Sequence, residues 1–262
     1  MTTVLITGAS TGIGLALARR YAAEGYDIIL VARPGPRLAE VARELGPVRV
    51  DTIAADLATT TGASTVAAAA DRAGLTVDVL VNNAGAGLHG PFANTPLERE
   101  LELVQLNVAS VLQLTKHFLS GMLARGHGHV VNVASVAAFL PGPYQSVYYA
   151  SKAFVLSFSE ALGEELRGTG VRVTAICPGP TTTGFHAAAQ VRRARPLNEG
   201  LFLTADAVAE ATLRGVRRNR RVVVPGLKHR LLVFAIQLAP RRIVTWASGI
   251  AGRPAVTFDG QN

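Results

Sequence analysis

Val4-Leu5-Ile6-Thr7-Gly8-Ala9-Ser10-Thr11-Gly12-Ile13-Gly14 decides the fold. Val4–Thr7 is a short β-branched run of the kind that forms a buried strand. Three glycines follow, and Leu15-Ala16-Leu17-Ala18-Arg19-Arg20 continues as a helix. A glycine turn between a first strand and a helix N-terminus lets backbone approach a pyrophosphate. The N–H groups and the helix dipole then favour its negative charge. The same glycines elsewhere would carry little weight; between strand and helix they read as a dinucleotide cradle.

Outward from this turn, short apolar runs alternate with helical patterns. Val4–Thr7, Ile28–Val31, Val48–Ile53, Val77–Val81, Val130–Val133, Val171–Ile176 and Val222–Val224 read as buried strands. Helices are predicted near 12–24, 36–45, 62–73, 97–124, 146–167 and 204–217. The alternation predicts an α/β, doubly wound Rossmann fold: a seven-stranded parallel sheet with helices on both faces. A chain of 262 residues, 49% hydrophobic, suits one such domain. We expect it to span 1–226, with 227–262 as an apolar, basic C-terminal extension. Leu101, Val104, Val108, Val111, Leu112, Thr115, Leu119 and Met122 follow helical spacing and read as core.

Chemistry is concentrated in Asn132-Val133-Ala134-Ser135 and Tyr148-Tyr149-Ala150-Ser151-Lys152. Tyr148 and Lys152 stand four apart and share one helix face. An ammonium beside a phenol favours the phenolate, giving a proton donor and acceptor usable near neutral pH. Tyr149 and Tyr144 are rivals, but only Tyr148 precedes Lys152 by four. Asn107 falls in the long helix 97–124, where a polar side chain can be a satisfied core residue.

The spacing Gly-x-x-x-Gly-x-Gly, with the features below, resembles the short-chain dehydrogenase/reductase family. Thr7 to Gly14 is similar to its TGxxxGIG pattern, and Asn82-Asn83-Ala84-Gly85 to its NNAG motif. Asn107, Ser135, Tyr148 and Lys152 resemble its catalytic tetrad. Pro178-Gly179, followed by Thr181 and Thr183, resembles its PG motif. The matches come in family order over residues 1 to about 225.

The resemblance implies reversible NADP(H)-dependent interconversion of a ketone or aldehyde and an alcohol. Tyr148 is the acid/base. Lys152 lowers its pKa and holds the nicotinamide ribose. Ser135 orients the carbonyl, and a water on the Asn107 backbone completes a proton relay. Cofactor contacts are expected from Gly8, Ser10, Thr11, Gly12, Ile13, Gly14, Asn83, Ala84, Gly85, Pro178, Gly179, Thr181 and Thr183. Asp56 and Leu57 are expected at the adenine, although Asp56 also reads as a helix N-cap. Alternatives are NAD-linked oxidation of a hydroxysteroid or 3-hydroxyacyl substrate, and a catalytically idle nucleotide sensor or membrane-docked scaffold. An idle relative tends to lose Tyr148 or Lys152, and both are present.

An acid at the end of the second strand binds ribose hydroxyls in NAD-specific sites. None occurs from Ile28 to Ala39. Arg33 stands there instead, with Arg37 one turn on, and a guanidinium suits a 2′-phosphate. NADP is therefore expected over NAD, although Thr11 replaces a basic residue common in NADP-using relatives. Leu88, His89, Phe139, Leu140, Tyr144, Phe185 and His186 are candidate pocket residues. The stretch 181–203 reads as a lid.

The net charge is +8. Ten Lys/Arg in 205–262 face only Asp206, Glu210 and Asp259. Leu227, Leu231, Phe234, Ala235 and Leu238 share one helical face. The main reading is that this tail packs on the domain or a partner; the second is a membrane-surface helix. No nucleic-acid motif accompanies the charge. A lone Cys177 excludes a disulfide framework and reads as core. His127-Gly128-His129 lacks a third ligand, so no metal is expected. With no signal-peptide pattern, the expected setting is cytoplasmic, and the resemblance implies a homodimer or homotetramer.

Overall fold

The computed structural model describes residues 2–183, 189 and 199–254. Among these, the strands are β1 (Thr3–Thr7), β2 (Asp27–Ala32), β3 (Val50–Ala54), β4 (Val79–Asn82), β5 (Gly128–Val133), β6 (Val171–Ile176), β7 (Thr181–Thr182), β8 (Leu203–Thr204) and β9 (Val222–Val223). Seven of them form one parallel sheet in the order β3-β2-β1-β4-β5-β6-β9. The order reverses between β1 and β4, which opens a crevice at the carboxyl ends of those strands. The expected doubly wound fold is therefore present. β7 and β8 pair separately, Thr181 with Leu203 and Thr182 with Thr204, and join the two ends of the segment read as a lid.

The helices are α1 (Gly12–Ala23), α2 (Pro36–Glu44), α3 (Gly62–Arg72), α4 (Leu97–Val104), α5 (Ser110–Arg125), α6 (Ser146–Glu165), α7 (Ala205–Arg217), α8 (Leu227–Leu238) and α9 (Arg241–Gly252). Side chains alternate across a strand, so each central strand feeds two cores. Val4 and Ile6 join Leu17, Tyr21, Val41 and Val208 under α1, α2 and α7. Leu5, between them, joins Val66, Leu114, Phe118 and Leu162 under α3, α5 and α6. Strands buried on both faces read as unbroken apolar runs, which is why the sequence marks them so clearly.

The helix predicted over 97–124 differs. A π-helical turn, Gln105–Ala109, separates α4 from α5. Each π turn takes up about one extra residue. Beyond it, Val111, Thr115 and Met122 are buried as predicted, while Leu112 is 37% exposed rather than core. Before it the inward face moves back by one, to Glu100 and Leu103. Leu101 and Val104 are consequently 58% and 39% exposed rather than core.

The tail packs through the face opposite its leucines. His229 and Val233 are buried, while Leu227, Leu231, Phe234 and Leu238 face solvent. Ser248 of α9 donates to the Pro141 carbonyl at 2.7 Å, and His89 Nε2 lies 2.8 Å from the Gly252 carbonyl. No helix among the described residues is long and apolar enough to cross a membrane.

His129 is a buried member of β5, with Nε2 2.8 Å from Thr174 Oγ1. Burial lowers its pKa from 6.5 to about 4, with Arg172 adding to the shift. Between those values the unfolded chain binds the extra proton, so stability should fall as pH drops from 6.5 towards 4. The expected loss is on the order of 3 kcal/mol. Denaturant unfolding at pH 7 and pH 4.5 should show that loss, and His129→Gln should remove most of it.

Candidate active site

The glycine turn sits at the crevice between β1 and β4. Gly8 and Gly12 have φ of 64° and 56°, a left-handed backbone that glycine adopts without a steric penalty. Gly14 is constrained by space instead: a Cβ there would lie 2.2 Å from the Gly8 carbonyl oxygen and 2.5 Å from Asn83 Nδ2. α1 therefore starts as close to the loop as backbone allows. Its N-cap, Thr11, makes no side-chain cap bond, and its first turn holds no acid. An uncapped helix end over a glycine cradle fits the pyrophosphate of a dinucleotide.

Asn83 holds that cradle. Its Nδ2 donates to the carbonyls of Thr7 (2.8 Å) and Gly8 (3.3 Å). In return, Thr7 Oγ1 accepts from the N–H groups of Asn83 (2.9 Å) and Ala84 (3.0 Å). Further along, Asp56 Oδ1 accepts from Ala58 N–H at 3.0 Å, and Leu57 is buried beside it. The first turn of α3 crosses here so closely that a Cβ on Gly62 would meet the Asp56 carbonyl oxygen at 2.1 Å. Nothing in the sequence pattern had singled out Gly62. In the first turn of α2, Arg37 is committed to Glu40 (3.1 Å) and Glu44 (2.9 Å). Arg33 is exposed and makes no ion pair among the described residues.

Ser135, Tyr148, Lys152 and Asn107 converge on the other side of the crevice. Ser135 follows β5, and its Oγ accepts from Ala137 N–H at 3.1 Å, capping the 3₁₀ turn Val136–Phe139. Its hydroxyl also acts on the Tyr148 phenol, favouring the ionised form. Lys152 lies one turn on in α6, its Nζ donating to the Val133 carbonyl at 2.8 Å and standing 6.0 Å from the Tyr148 ring centre. Space at Gly85 is bounded by Lys152 Nζ and Asn107 Oδ1, 3.4 and 3.3 Å from where its Cβ would be. Asn107 lies in the π turn, and its side chain is fully engaged. It accepts from Ala86 N–H and donates to the Ala86 carbonyl, both at 2.9 Å, and to Ser151 Oγ at 3.0 Å. The satisfied-core reading thus holds for the side chain, and Ser151 is its partner.

The electrostatics differ from the expected phenolate. Burial pushes the Tyr148 phenol up to about 12, opposed by the Ser135 hydroxyl. Burial also brings Lys152 down to about 8. In a dry site both charges are penalised, so the lysine alone does not ionise the phenol. Cys177 is buried and pushed up to about 12 by desolvation, which makes it an inert core thiol.

The rival tyrosines have packing roles. Tyr149 lies flat against Gly142, whose Cβ would fall 2.2 Å from its ring. Tyr144, at φ 66°, accepts from Gly90 N–H at 2.8 Å and joins the two loops that carry Leu88, His89, Phe139 and Leu140. A hollow of about 470 Å³ lies between Phe139, Leu140, Tyr149 and Arg241, without Tyr148 among its walls. Thr181 is buried and bonds the Gly179 carbonyl at 2.9 Å. Thr183 lies against Gly12, 3.2 Å from where a Cβ would stand. Phe185 and His186 lie outside the described residues. One neighbour escaped the sequence reading. His229 of α8 is 3% exposed, neither ring nitrogen has a hydrogen-bond partner among the described residues, and its Nε2 would be 2.1 Å from a Cβ on Gly179.

Comparison with known proteins agrees with this geometry. The short chain dehydrogenase family model matches residues 2–194. The ketoacyl reductase HetN of Nostoc is 33% identical over 225 residues, 85% of this chain and 77% of its own. A short-chain dehydrogenase from Sphingobium yanoikuyae, solved in complex with NADPH, superposes with a TM-score of 0.80 at 34% identity, covering 90% of this chain and 94% of its own. The bulky-bulky ketone specific alcohol dehydrogenase of Comamonas testosteroni gives 0.76 at 32%, covering 90% and 92%.

The contact between α8 and Gly179 has a measurable consequence. Gly179→Ala should destabilise the chain by about 1–3 kcal/mol through overpacking against the buried ring. Adding His229→Ala should recover much of that loss, and a double-mutant unfolding cycle would measure the coupling.

Proposed function

The chain belongs to the short-chain dehydrogenase/reductase family, and from that premise we propose that Tyr148, Ser135, Lys152 and Asn107 perform its reaction with NADP(H). The activity is NAD(P)-dependent interconversion of a carbonyl and an alcohol. The observation that carries the residue assignment is the meeting of Ser135, just after β5, with Tyr148 and Lys152 one turn apart in α6, Lys152 Nζ being bonded to the Val133 carbonyl two residues before Ser135. The bound nicotinamide supplies or accepts the hydride.

Ser135 Oγ orients the carbonyl oxygen and stabilises the negative charge that grows on it. Tyr148 Oη gives that oxygen its proton. A phenol held up to about 12 is protonated at neutral pH, which suits reduction; the reverse reaction needs the phenolate. Lys152 then acts where a positive charge and a ribose hydroxyl bond are both needed. With its pKa near 8 it can also pass a proton on towards the Asn107 backbone, where the π turn breaks the regular ladder of carbonyls. The Gly8–Gly14 loop and the uncapped end of α1 hold the pyrophosphate. Asn83, Ala84, Gly85, Pro178, Gly179, Thr181 and Thr183 line the nicotinamide half, and Asp56 and Leu57 the adenine.

Two relatives reduce or oxidise bulky or acyl-linked carbonyls by name, which supports a ketone or aldehyde of substantial size as substrate. Arg33 supports NADP over NAD, as the cation at the end of β2 that no acid neutralises. A homo-oligomer is supported by Leu97, Leu101, Val104, Leu112 and Phe154, apolar side chains exposed along α4, α5 and α6. We place the chain in the cytoplasm, as one catalytic domain over 1–226 followed by the extension 227–262, whose α8 and α9 pack on that domain.

Tyr148→Phe should lower turnover by at least about a thousandfold while leaving NADPH affinity within a few-fold. Retained turnover would remove the acid/base role. Arg33→Ala should weaken NADPH by about tenfold or more and NADH little, read by cofactor fluorescence titration.

A further inference from the structure

The C-terminal helix pair has an inner and an outer face, and among the described residues only the inner one is covered. At about 100° per residue, Leu227, Leu231, Phe234 and Leu238 fall within about 60° of one another on α8. All four are 61–71% exposed. The buried residues of the same helix, His229 and Val233, lie on the opposite side. α9 repeats the arrangement. Its inward residues Ser248, Gly249 and Gly252 approach Pro141, Pro143 and Tyr144 closely. Ile243, Trp246 and Ile250 point outward, with Trp246 69% exposed.

The charges carried by this helix pair have one sign. From residue 227 to 254 the sequence holds five Lys or Arg and no Asp or Glu. Lys228 and Arg230 flank the α8 stripe on its two sides, and Arg241 and Arg242 open α9. Arg230, Arg241, Arg242 and Arg253 make no ion pair among the described residues. A second copy docked here by a two-fold axis would set arginine against arginine. A surface of lipid phosphates would meet both features, taking the apolar stripe into its acyl boundary and the cations at its headgroups.

We propose that the outer face of α8 and α9 is a docking surface for an anionic phospholipid bilayer. Exposed indole and leucine side chains enter the interface, and Lys228, Arg230, Arg241 and Arg242 bind headgroup phosphates. The inner face of the same helices touches the Gly179 turn and the 139–144 and 86–90 loops. Docking therefore sets those loops of the catalytic domain beside the membrane surface. The proposal stands apart from the reaction assigned above.

Trp246 is the only tryptophan, so it reports on this surface alone. The full chain should sediment with phosphatidylcholine vesicles containing phosphatidylglycerol, with a blue shift of Trp246 emission, and not with phosphatidylcholine alone. High salt should reduce the binding. Leu231→Ser with Phe234→Ser, and separately Arg241→Ala with Arg242→Ala, should each lower partitioning by about tenfold or more, with circular dichroism and cofactor binding unchanged. Failure to sediment with either vesicle would overturn the proposal. So would equal binding to neutral vesicles, or anionic binding with unshifted Trp246 emission. A concentration-dependent blue shift without lipid, abolished by the Leu231/Phe234 variant, would assign the face to a second copy instead.

Discussion

The site depends on how closely the carboxyl ends of β1 and β4 are tied together. Asn83 bonds the Thr7 and Gly8 carbonyls, and Thr7 returns two bonds from its hydroxyl. These groups occupy the crevice where the strand order reverses, so water cannot satisfy them all and the side chains must. The contact also sets the glycine requirement. Gly14 has an ordinary backbone conformation, yet a methyl group there would strike both the Gly8 carbonyl and Asn83. The cradle is a packing constraint as much as a flexible loop.

The catalytic side is governed by dehydration. Tyr148 and Lys152 are placed where both ionised forms are disfavoured, which holds the phenol protonated and the amine only weakly basic. Sequence reasoning from spacing treats the ammonium as a full charge beside the phenol. Burial reduces that charge, because desolvation acts on both partners while their attraction weakens once the lysine is part-neutral. The positive nicotinamide ring of a bound oxidised cofactor would reverse part of this balance.

The tail connects both themes. Its inner face reaches the Gly179 turn through His229, whose ring nitrogens are buried without partners, while its outer face remains apolar and cationic. The helix packs on the domain through one face and leaves its apolar face for a partner. Helical periodicity detects the stripe of larger residues, here the outer one, since His229, Ser248 and Gly252 give no hydrophobic signal.

The sequence by itself determined the sheet, the order of its helices, the glycine cradle and the pairing of Tyr148 with Lys152. Those features rest on local pattern: buried strands are unbroken apolar runs, and residues four apart share a helix face. Tertiary structure decided the rest. The π turn moved the inward face ahead of Asn107 by one residue, exposing Leu101 and Val104. It closed the side chain of Asn107 onto Ala86 and Ser151, engaged Arg37 with two glutamates and left Arg33 open. It also turned the leucine face of α8 outward. The Arg37 pairs are local to α2, three and seven residues apart; the other outcomes depend on which groups meet across long sequence separations, where burial and steric exclusion act and short-range periodicity carries no information.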